Sequence, residues 1–117
     1  MPKPKRASGQ SRAKSVIPPA TVRAVASRAL EWRRVYGRGG TAVGVARARD
    51  LANGRPVSPR TIRRMFSYFR RHQVDLIAEG ARAGERGFPS AGRVAWDLWG
   101  GDPGYRWVSG LITRIED

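Results

Sequence analysis

Ser58-Pro59-Arg60-Thr61-Ile62-Arg63-Arg64-Met65-Phe66-Ser67-Tyr68-Phe69-Arg70-Arg71-His72 is the stretch on which the fold turns. Serine before proline is a helix start: the hydroxyl accepts from a free backbone N–H, and proline suits the first helical position. Ile62, Met65, Phe66 and Phe69 then fall on one side at helical spacing, with Arg60, Arg63, Arg64, Ser67 and Arg71 on the other. From Arg55 to His72 there is no acidic residue. A surface charged only for solvation would carry interspersed glutamates. Guanidinium groups on a helix held by its own apolar stripe present rigid forks to phosphates or guanine edges.

The rest of the chain extends the same chemistry. Of 117 residues, 23 are basic and 9 acidic, for a formal charge of +14. All but Lys3, Lys5 and Lys14 of the basic set are arginines. Such an excess calls for a polyanionic partner, with nucleic acid first and an anionic membrane second. The membrane is the weaker candidate, because no segment joins a lysine-rich face to a wide Leu/Phe face. The chain has no cysteine, which removes disulfides and thiolate metal sites, and His72 is its one imidazole. No metal or cofactor is expected. No apolar run approaches a membrane span, and the basic N-terminus lacks the apolar core of a signal peptide. The expected location is a cytoplasm or the interior of a particle.

Residues 1–17 carry Lys3, Lys5, Arg6, Arg12 and Lys14 with prolines, small polar residues and no acid. They read as a disordered basic arm, able to follow a phosphate backbone or to act as a solubilising tail. Residues 18–117 read as one all-α domain, a compact bundle of four to five short helices. Pro18-Pro19 opens the first, with Val22, Val25, Ala26, Ala29, Trp32 and Tyr36 as its stripe and Gly37 as its stop. Thr41 caps a second, with Val45, Ala48 and Leu51 inward and Asn53-Gly54 at its end. The segment from Val74 to Gly87 is ambiguous between a helical turn and a glycine-rich loop. Ser90 caps a short helix with Val94, Ala95, Leu98 and one or both of Trp96 and Trp99. Asp102-Pro103 is expected as cap and first residue of a last helix carrying Trp107 or Val108, Leu111, Ile112 and Ile115.

The second helix and the arginine-faced one form a helix-turn-helix-like pair, in which the later helix would enter a major groove. The link from Asn53 to Ser58 is longer than in the strict motif, so a plain helical hairpin stays open. The corner Gly37-Arg38-Gly39-Gly40 precedes a helix N-terminus, where an anion is favoured; it reads either as a tight turn or as a seat for one backbone phosphate assisted by Arg38. Trp96, Trp99 and Trp107 fit either a core or a stacking surface. Asp50, Asp97 and Asp102 with His72 lack the spacing of a metal nuclease site, and no enzyme is expected.

Three blocks together carry a resemblance: Gly37-Arg38-Gly39-Gly40-Thr41 running to Ala46-Arg47-Ala48-Arg49-Asp50-Leu51, then Ser58 to His72, then Pro89-Ser90-Ala91-Gly92 leading into Ala95-Trp96-Asp97-Leu98-Trp99-Gly100-Gly101-Asp102. In order, they resemble a small domain of tailed bacteriophages and prophages, found alone or joined to head-maturation or portal-region proteins, over about residues 21–107. The resemblance implies a phage setting, in the virion or among DNA-handling genes.

Charge, helix pattern and setting together give the expectation of a non-enzymatic double-stranded-DNA-binding protein. Arg60, Arg63, Arg64, Ser67, Arg70 and Arg71 would face the duplex. Arg38, Arg47, Arg49 and Arg55 would meet flanking phosphates, and Lys3, Lys5, Arg6, Arg12 and Lys14 would add salt-sensitive affinity. The alternatives are a virion or head-assembly component binding capsid or portal proteins, and an RNA or single-strand binding module.

Overall fold

A computed structural model describes residues 14–116, with side chains through residue 114. Among the described residues five α-helices follow one another: α1 (Ala20–Tyr36), α2 (Ala42–Ala52), α3 (Pro59–Arg71), α4 (Ala91–Leu98) and α5 (Gly101–Glu116). A short 3-10 turn, Gln73–Leu76, follows α3. The protein is all-α; among the described residues the one extended pairing is a bridge between Val16 and Val57.

The helix boundaries are written in local chemistry. Thr41, Ser58 and Ser90 each accept a backbone N–H three residues on, from Gly44, Thr61 and Arg93. Gly37 closes α1 in the left-handed conformation at φ 66°. The last helix departs from expectation. It begins at Gly101, so Asp102 lies inside its first turn, and the Asp102 carboxylate accepts from the Trp96 indole at 3.0 Å instead of capping the helix. Between Val74 and Gly87 the chain takes only the 3-10 turn and then bends, with Gly80, Gly84 and Gly87 at positive φ.

α1 is the hub, touching α2, α4 and α5, while α3 lies on the far side of α5. The core joins Val22, Ala26 and Ala29 of α1 to Ala48 and Leu51 of α2, Ile62, Met65 and Phe69 of α3, Val94, Trp96 and Leu98 of α4, and Val108 of α5. Two stripe assignments differ. Tyr36 is exposed at the end of α1. Tyr68, one step round from Phe69, is buried because Trp99 and Trp96 close over it. Val16 and Val57 exchange hydrogen bonds of 2.9 and 2.7 Å, so the residues just before Pro18 dock on the folded part.

Among the described residues one charged side chain sits in this core. Asp97 is 1 % exposed and receives Arg28 of α1 at 2.8 Å and Arg93 of its own helix at 3.2 Å. Arg93 also donates to the Ala81 carbonyl at 2.7 Å, tying α4 to the loop. Burial pushes the Asp97 carboxyl above its ordinary range, and the two guanidiniums pull it back.

Candidate nucleic-acid interface

A helix of α3's length is marginal alone in water. Its inner face holds it: Ile62, Met65, Tyr68 and Phe69 are buried, and the Phe69 ring stacks on Tyr105 at 5.1 Å and meets Trp96 edge-on at 4.8 Å. The outer face is therefore fixed in orientation. Arg60, Arg63, Arg64, Ser67, Arg70 and Arg71 are all exposed there. Among the described residues no carboxylate lies within ion-pair distance of these five arginines, whereas Arg28, Arg34, Arg55, Arg82 and Arg93 each have one.

Two open depressions run along this face. One, of about 510 Å³, is lined by Arg60, Arg63, Arg64, Ser67, Arg71 and Trp99. The other, of about 380 Å³, is lined by Phe66, Ser67, Arg70 and Arg71. Trp99 forms a wall because it stacks on Tyr68 at 4.5 Å with the rings 8° from parallel, and Tyr68 stacks in turn on His72 at 4.4 Å. Arg47 of α2 sits 5.5 Å from the Trp99 ring centroid. Its Nε is buried without a hydrogen-bond partner, as is the Tyr68 hydroxyl. Burial lowers the Arg47 pKa from its ordinary value; Asp50 opposes this and Arg64 adds to it. Arginine stays charged regardless. The result is cation crowded on cation beside an aromatic wall, a potential that an anion relieves.

The expected site residues divide. The α3 set comes together with Trp99, and Arg47 joins at its edge. Arg49 is exposed on α2, without a contact to the depressions. Arg55 pairs with Asp50 at 3.7 Å. Arg38 is turned toward the loop before α4, donating to the Pro89 and Gly87 carbonyls at 3.1 and 3.2 Å. Lys14 is exposed; Lys3, Lys5, Arg6 and Arg12 lie outside the described residues.

Helix packing refines the helix-turn-helix-like order. α2 and α3 are consecutive, but α2 finds its main partner in α1 and α3 in α5. The glycine corner has a packing cause. Gly39 and Gly40 stand at φ 97° and 82°, and a Cβ on Gly39 would fall 2.6 Å from Val94 Cβ, while one on Gly40 would strike Leu98 Cδ1. The corner is pressed on α4. Each carboxylate of the nuclease alternative has another partner: Asp97 is clamped by arginines, Asp102 accepts from Trp96 and Asp50 pairs with Arg55, and His72 faces Asp75 at 3.3 Å.

No protein-family model, no curated protein and no solved structure matches the chain. Among the described residues no helix is long and apolar enough to cross a membrane. Of the tryptophans weighed as core or stacking surface, Trp96 is core and Trp99 lines the larger depression, while Tyr68 beneath it was not singled out by sequence reasoning. The three-residue spacing of Trp96 and Trp99 signals a shared side of α4, but the end of that helix is where core gives way to surface.

Proposed function

We propose that the chain binds double-stranded DNA without catalysis, through the outer face of α3. One observation carries this reading: five arginines, without acidic partners among the described residues, stand on one face of a helix whose other face is locked into the core. Fixed guanidinium forks lose less side-chain freedom per phosphate than flexible lysines do. The +14 charge supplies long-range attraction. The resemblance to phage domains adds a setting, host cytoplasm or virion interior, in which the partner is packaged or replicating DNA.

Duplex binding followed by fluorescence anisotropy across a salt series tests it, with heparin and single-stranded RNA as competitors. Neutralising five phosphates of B-DNA gives a slope of log K against log salt of about −4 to −5; basic residues beyond α3 steepen it. Duplex outcompeting heparin and single strands supports the reading. Equal competition by all three contradicts it.

A second reading is a virion or head-assembly component meeting a protein surface. It is favoured by Val74 and Ile77, apolar yet 65 % and 77 % exposed just beyond α3. A complex with capsid or portal subunits that survives nuclease treatment supports that alternative. The single-strand reading draws less support, because Trp96 is buried and Trp99 already stacks on Tyr68. Its sign is tryptophan quenching by single strands and not by duplex.

A further inference from the structure

On a helix surface the neighbours of residue i are i±3 and i±4. For Ser67 these are Arg63, Arg64, Arg70 and Arg71, so all four neighbours are arginines. Ser67 is exposed, and with Arg71 it lines both depressions on the face. Ser67 and Arg71 stand where the two depressions meet, with Arg63 and Arg64 lining one and Arg70 the other, so a short side chain leaves low ground with a hydroxyl at its floor among four arginines. A phosphate matches that inventory: its oxygens accept paired N–H bonds from arginine and one from a hydroxyl. The ring holds no carboxylate of its own.

We infer that Ser67 marks the seat of a single backbone phosphodiester, held by the Ser67 hydroxyl and the guanidiniums of Arg63, Arg64, Arg70 and Arg71. The seat rests on the DNA reading above and sets its register: this phosphate stands at the middle of α3, with Arg60 reaching a neighbouring position. Trp99 and Arg47 then flank the strand on the side of Arg64. The small residue is required, because a longer side chain would fill the hollow.

Duplex affinities of the full chain and three variants test the seat. Ser67→Glu puts a carboxylate within helical reach of all four arginines and should lower affinity at least about tenfold. Ser67→Ala removes only the hydroxyl and should cost roughly two- to tenfold. Ser27→Glu, at an exposed position on α1, makes the same change in net charge and should cost less than about threefold. Circular dichroism confirms folding, and glutamate is no worse a helix former than serine. Equal losses for Ser67→Glu and Ser27→Glu overturn the seat while leaving the DNA reading intact. If the unmodified chain fails to bind duplex, the DNA reading falls and inorganic phosphate decides the seat, followed by NMR of the arginine Nε–H groups. Saturable shifts confined to Arg63, Arg64, Arg70 and Arg71 retain it; a uniform drift across all arginines overturns it.

Discussion

The arginines of this chain divide by what each guanidinium faces. Arg23 donates to the Pro18 carbonyl at 2.6 Å, Arg33 to Gly39 at 2.8 Å and Arg38 to two loop carbonyls, so these side chains act as braces. Arg28 and Arg93 hold the buried Asp97. Among the described residues the α3 arginines make no hydrogen bond or ion pair of this kind. Removing one member of a buried ion pair leaves its partners uncompensated, and the usual loss is on the order of 3 kcal/mol. Arg28 is half exposed and can regain water, which softens that figure. Asp97→Ala should therefore destabilise the fold by about 2–3 kcal/mol in urea unfolding. Asp97→Asn, which keeps the shape and relieves the buried charge, should cost less. Equal losses would mean that the lost carboxylate charge, and not the shape, sets the cost at this position.

At the scale of elements, the glycine corner between α1 and α2 separates packing from binding. Gly39→Ala meets both a positive φ and the Val94 side chain. It should lower stability by about 2 kcal/mol or more, read as a drop in Tm, while the folded fraction keeps its duplex affinity. Lost affinity at unchanged Tm would instead make the corner a phosphate seat. The helix starts at Thr41, Ser58 and Ser90 were legible in the sequence, because a cap is a contact between residues three apart. So was the polarity of α3, since an apolar stripe at 3.6-residue spacing has one way to face. The partners of the helices were not legible: that α3 lies on α5 rather than α2 depends on Phe66 and Phe69 meeting Tyr105, distant in sequence. Trp99 joined the site for the same reason, through a stack on Tyr68 that no local pattern announces. Asp102 misled because a cap and an indole acceptor use the same carboxylate.

For the whole molecule, the proposed DNA binding has two possible forms, a +14 chain acting as a diffuse cation or one surface acting alone. Diffuse attraction treats every exposed arginine alike. A fixed face does not, because only arginines held together share one run of phosphates. The measurement that separates these is duplex affinity, at one moderate salt concentration, for two triple variants of equal charge. Arg60, Arg63 and Arg64 are changed to alanine in one; Arg86, Arg106 and Arg114, exposed elsewhere, are changed in the other. The account predicts at least a roughly tenfold loss for the α3 triple, with helicity intact, and a loss several times smaller for the control. Equal losses in the two would contradict it, leaving α3 as one basic surface among many.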